Sequence, residues 1–180
     1  MFRKMSMFIL LICTILTFTA CGNKKVEPSN VKSQNKVKVV VSFNAMREIA
    51  TAIGKDKVDI VTMIPNGSEP HDFEPKAKDF ESLSTAKVFI YNGFGMESWV
   101  DKVLESVGNN NLIIVDTSKG STPIDNTERT ENGQYDPHLW ISLKGAKNQA
   151  KNIRDALVKA DSSNKSYYEK NYNDFALKLD

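Results

Sequence analysis

The chain is poor in the side chains that most often carry chemistry. Its 180 residues include two cysteines, Cys13 and Cys21, and two histidines, His71 and His138. Both cysteines lie at or before position 21, so the body of the chain has no thiol for a disulfide or for a Cys-type zinc site. There is no HExxH and no GxSxG, which removes the usual signatures of zinc proteases and serine hydrolases. A zinc hydrolase would also need a third metal ligand and a general base. Asn92-Gly93-Phe94-Gly95 lacks the Lys and Ser/Thr that complete a phosphate loop, and reads as a strand-to-helix turn. An excess of one charge is missing as well. The 24 basic and 22 acidic residues leave a formal net charge of +2. The first twenty residues hold two of the basic residues and none of the acidic ones, so the remainder is formally neutral. Composition therefore gives no case for nucleic-acid binding, and the motifs give none for an enzyme.

What is present begins with a targeting segment. Arg3 and Lys4 precede an apolar stretch from Met7 to Phe18. That stretch is too short to span a bilayer and fits a secretory h-region, so residues 1–20 read as a signal peptide. The small residues Thr19 and Ala20 then lead into Cys21-Gly22. This junction resembles the lipobox of bacterial lipoproteins, in which the cysteine is acylated and becomes the new N-terminus. The resemblance implies a lipid anchor at Cys21, membrane attachment through it, and an extracytoplasmic location. The alternative is an ordinary secretion signal with an incidental cysteine. Residues 21–36 are polar beyond the cysteine and read as anchor and flexible tether.

From Lys36 onward, strand and helix patterns alternate. Lys36–Phe43 (KVKVVVSF) is β-branched and almost continuously apolar, as a buried parallel strand requires. Ser42 and Asn44 are candidate caps for a helix with Met46, Ile49, Ala50 and Ile53 on one stripe, ending at Gly54. Further strands are expected at Val58–Ile64, Val88–Tyr91 and Leu112–Val115. Helices are expected from Lys76 behind Pro75, from Met96 to Val107, after Ser142 with Leu143, Ala146, Ala150, Ile153 and Leu157 in line, and from about Ser163 with Tyr168, Tyr172, Phe175 and Leu179 in line. The pattern predicts an α/β fold: an open, mainly parallel four-stranded sheet with helices on both faces. Ligands of such sheets sit on loops beyond the carboxyl ends of the strands. Trp99 and Trp140, each beside apolar neighbours, read as core.

Both histidines lie in proline-marked polar loops, His71 in Glu69-Pro70-His71-Asp72-Phe73-Glu74-Pro75 and His138 in Asp136-Pro137-His138-Leu139-Trp140. Neutral imidazole is a preferred ligand of zinc and also serves manganese. A preceding proline limits the entropy lost when the ring is held. Glu69, Asp72 and Asp136 are each able to take the second ring N–H. On composition alone, though, two loop histidines 67 positions apart are ordinary surface or core residues.

Four stretches change that balance: VSFNAMREIATAIGKDKVDIVTMIPNGSEPHDFEPKAKD, AKVFIYNGFGMESWVDKVL, DPHLWIS and YYEKNYNDFALKL. In this order they resemble the solute-binding proteins of ABC importers specific for zinc or manganese, and EPHDFEPK together with DPHLW is the specific pairing. In that family two α/β lobes are joined by one long helix and hold the metal between them. The resemblance implies that residues 37–162 are the N-terminal metal-binding lobe, that 163–180 are the start of a truncated linker helix, and that the C-terminal lobe is absent. It implies His71 and His138 as metal ligands, Zn2+ as the transported ion with Mn2+ as alternative, and an ABC permease with its ATPase as partners of a monomeric protein. The loop from Gly120 to Tyr135 lacks the histidines that many zinc members carry there. Other readings are a surface adhesin or interaction lipoprotein, and a non-functional gene fragment.

Overall fold

The computed structural model describes residues 36–125 and 134–180. The segments read as signal peptide, Cys21 anchor and most of the tether lie outside the described residues, as do positions 126–133 of the polar loop. Four strands form one sheet: β1 (Val37–Val41), β2 (Val58–Thr62), β3 (Val88–Tyr91) and β4 (Ile113–Asp116). Their order is β2-β1-β3-β4 and every pairing is parallel, with Val39 opposite Ile60 on one side and Val88 on the other.

Successive side chains of a strand point to opposite faces. Val39, Val40 and Val41 are all buried, and so are Val88, Phe89 and Ile90. Both faces of the central strands are therefore covered, which explains why β1 and β3 are apolar without alternation. Two groups of helices do the covering. α1 (Asn44–Gly54), α4 (Leu143–Ala160) and α5 (Lys165–Ala176) pack against one another. α2 (Ala77–Thr85) and α3 (Val100–Val107) form the other pair.

The local code explains most boundaries. α1 buries Met46, Ile49, Ala50 and Ile53 at helical spacing. α2 starts behind Pro75, where the Asp79 carboxylate accepts the Lys76 N–H at 2.8 Å. α4 is capped by Ser142, whose hydroxyl accepts the Gly145 N–H at 3.0 Å.

Several expectations need correction in detail. Neither Ser42 nor Asn44 caps α1; Phe43 occupies that position and no side chain bonds the helix end. The reason is that sheet pairing runs past β1: the Ser42 N–H donates to Ile90 O and its carbonyl accepts from Ile64, both at 2.9 Å. α3 begins at Val100, not Met96, because residues 93–97 form a turn held by Glu97. Leu143 is 62% exposed although it fits the apolar stripe of α4, whereas the polar Gln149 on that stripe is fully buried. α5 begins at Lys165, after a short turn at Ser162–Asn164 in which Asp161 accepts from Ser163, Asn164 and Tyr168. It lies against α1 and α4 with Tyr168 completely buried, and Asn171 donates to Ile53 O at 2.9 Å.

Candidate metal centre

Because all four strands run parallel, the segments that follow β1, β2, β3 and β4 leave the sheet at one edge. His71 lies on the segment after β2 and His138 on the segment after β4. β1 and β3 separate their parent strands, so the two loops must lean inward across the edge to meet. They do. The rings of His71 and His138 stand 6.0 Å apart between centroids, at 67° to each other.

The His71 loop is rooted by two extensions of the sheet, Met63 N–H to Val41 O and Ile64 N–H to Ser42 O. Further along, Phe73 packs edge-on against Trp99 at 5.5 Å. His71 itself is half-buried and stands at a cavity of about 560 Å3 that Phe73, Trp99 and Lys102 also line. Glu69 serves the backbone, its Oε1 lying 3.3 Å from the His71 amide nitrogen. Among the described residues the buried Nδ1 of His71 has no hydrogen-bond partner. Neither Glu69 nor Asp72 takes that ring nitrogen.

His138 is held differently. Asp136 Oδ1 accepts the His138 backbone N–H at 2.9 Å and sits 2.8 Å from ring Nδ1. These bonds, the backbone one first and the ring one next, hold the Asp136 carboxyl below its usual range. With Nδ1 engaged, Nε2 is the ring nitrogen left without a hydrogen bond among the described residues. A carboxylate on the rear nitrogen fixes the tautomer and raises the basicity of the front one. Trp140 sits beside this ring, 5.3 Å away, and in turn meets Phe43 edge-on at 5.0 Å. It is therefore half-buried at the site, while Trp99 is a core residue.

Converging imidazoles suit borderline divalent cations. Among the described residues, no cluster of three or more His, Cys, Asp and Glu side chains is placed to hold a metal ion. The arrangement is thus a two-imidazole edge, open on one side. Sequence patterns mark Asn92-Gly93 only as a turn and do not single out Gln149. The structure shows the buried Asn92 side chain reaching the carbonyl of Pro137, beside His138. A polar residue on the buried stripe of α4 was the one available sign of such a contact.

The profile of the ZnuA family, described as zinc-uptake complex component A, periplasmic, matches residues 39–180. The chain belongs to this family. It is 37% identical over 190 residues to the high-affinity zinc uptake system protein ZnuA of Bacillus subtilis, covering 99% of this chain and 59% of that one. It is 32% identical to the manganese ABC transporter substrate-binding lipoprotein PsaA of Streptococcus anginosus, covering 99% of this chain and 58% of that one. The solved metal-dependent lipoprotein YcdH of Bacillus subtilis superposes with a TM-score of 0.72 at 40% identity, over 80% of this chain and 52% of the other. The fold is that of ZnuA-like binding proteins, and the four-stranded parallel sheet expected from the sequence is observed. The chain spans a little over half the length of the curated relatives it matches.

Proposed function

We propose that the chain captures Zn2+, with Mn2+ as the alternative, outside the cell membrane through His71 and His138, as the metal-binding component of an ABC importer. The carrying observation is the approach of these rings to 6.0 Å from loops 67 positions apart in sequence. Two nitrogen donors favour zinc over manganese, whose usual ligands are richer in oxygen. In this reading the metal is cargo, released to a permease that an ATPase drives, and acylated Cys21 keeps the protein at the membrane. The ABC transporter relatives, named as substrate-binding lipoproteins, support that assignment.

The reading is of binding, not catalysis. A catalytic zinc site has three protein ligands and an open position, and two imidazoles fall short of that set. Zinc prefers four ligands, so this edge leaves at least two positions to water or to donors beyond the described residues. Binding by the chain alone is expected to be weak and to weaken further on acidification, since protons compete for both imidazoles.

Calorimetric titration of the purified chain with Zn2+ tests this. We expect one-to-one binding that disappears in His71→Ala and in His138→Ala. Binding that survives both substitutions would overturn the assignment.

A further inference from the structure

The carbonyl of Pro137, one residue before His138, is gripped from inside the protein. Asn92, at the end of β3, donates from Nδ2 to Pro137 O at 2.8 Å and to Gly93 O at 3.0 Å. Its Oδ1 accepts from Gln149 Nε2 of α4 at 2.8 Å. Gln149 Nε2 also donates to Thr117 Oγ1 at 3.1 Å, and the Thr117 hydroxyl donates to the Asn92 carbonyl at 3.1 Å. Asn92, Thr117 and Gln149 are all fully buried.

The directions of these bonds are mutually determined. The two carbonyls only accept, so the amide nitrogen of Asn92 must face them. Its oxygen must then face Gln149, which must donate. Reversing either amide places acceptor against acceptor in a buried site, where an unmatched polar group costs more than a bond gains. Gln149 Oε1 has no partner among the described residues, and reversing that amide would only set it against Asn92 Oδ1, so the Asn92 amide has one arrangement and ties the Asp136-Pro137-His138 segment to β3, α4 and the residue after β4. Proline's φ is already set by its ring. Holding its carbonyl then fixes the peptide plane that leads into His138, and Asp136 fixes the ring relative to that plane.

We infer that Asn92 and Gln149 are positioning residues for His138: they hold the Pro137 carbonyl so that the His138 ring meets His71. The consequence for metal rests on the function proposed above, but the geometry can be tested without metal. In the metal-free chain, ring protons of His71 and His138 should give a nuclear Overhauser signal. It should persist in Asn152→Ala, which removes two bonds from α4, to Thr117 O and Lys119 O, without touching Pro137. It should vanish in Asn92→Asp, which sets oxygen against the Pro137 oxygen. Gln149→Met keeps the volume and removes the amide that orients Asn92, and it carries the test if Asn92→Asp does not fold. Zinc affinity should fall roughly 10–100-fold in the positioning variants, the scale seen when groups behind a ligand are removed, and stay unchanged in Asn152→Ala. A ring-to-ring signal that persists in the folded positioning variants overturns the inference, as does an equal loss in Asn152→Ala. If the signal disappears in the positioning variants alone and the wild type binds no zinc, the inference stands and the metal assignment is overturned instead.

Discussion

Gly93 follows Asn92 and offers the clearest measure of how tightly this edge of the sheet is built. Its φ of +91° is a conformation that L side chains rarely adopt. A Cβ there would lie 2.1 Å from Asp116 Oδ1 and 2.5 Å from Ser118 Oγ. Gly108, the left-handed residue that ends α3, has φ +64° and nothing within 4 Å of the same position. Replacing each by alanine separates backbone strain from contact. Strain alone costs about 1–2 kcal/mol, which is the whole expectation for Gly108→Ala. In Gly93→Ala the Asp116 carboxylate must also swing away. It accepts from Ser118 Oγ at 2.6 Å and from the Ser118 N–H at 3.0 Å. Losing both bonds at this half-buried position adds about 1–2 kcal/mol after allowance for solvent screening. Gly93→Ala is thus expected to lose about 2–4 kcal/mol in total. Urea unfolding reads both as a shift in midpoint at constant slope. Equal losses in the two variants would refute the reasoning, because only the clash distinguishes them. A Gly93→Ala/Asp116→Ala pair should lose less than the sum of its singles, since the displaced carboxylate is then gone.

Two further outcomes follow from the buried groups. Glu97 accepts the N–H groups of Asn92 and Gly93 at 2.8 and 3.1 Å, and burial raises its pKa above the usual 4.5 against the pull of those donors. A carboxyl raised in the folded state favours folding below its unfolded value, and that contribution is lost as pH rises through the folded value. The stability gap between wild type and Glu97→Gln should therefore narrow as pH rises from about 4.5, in urea unfolding at a series of pH values; a gap that widens would show that the carboxyl is not raised. Tyr168→Ala empties a fully buried aromatic site between α5 and its neighbours and should cost about 3–5 kcal/mol by thermal or urea unfolding. A loss under about 1 kcal/mol would mean that α5 is not docked through this ring.

Much of the fold was legible in the sequence because its signals are local. The strand over Val88–Tyr91 matches its expected bounds to the residue. β1 and β2 are shorter than their apolar runs, α1 forms with its expected stripe toward the core, and α2 forms behind Pro75 as expected but buries Leu83 together with the polar Asp79. Periodicity reports only which residues share a face of one element, and for that it suffices. Where it misled, hydrogen bonding that apolar spacing does not report was responsible: the Ser42 backbone pairs with the distant Ile64 and Ile90, and the start of α3 is displaced by the short-range turn that Glu97 makes with Asn92 and Gly93.

The candidate site divides in the same way. Residue types and resemblance singled out His71 and His138 and offered three carboxylates to serve them. The tertiary structure assigned Asp136 to the His138 ring and Glu69 to a backbone amide, and left the Nδ1 of His71 unpartnered among the described residues. It alone placed Asn92 and Gln149, 57 positions apart, in hydrogen-bond reach behind Pro137. By itself the sequence determined which elements form and which side chains carry donor atoms, since propensity, capping and apolar spacing act within a few residues. Which donors meet was decided by the parallel order β2-β1-β3-β4, which brings the ends of distant strands to one edge. That order depends on burying both faces of the sheet at once, a condition that no single segment contains.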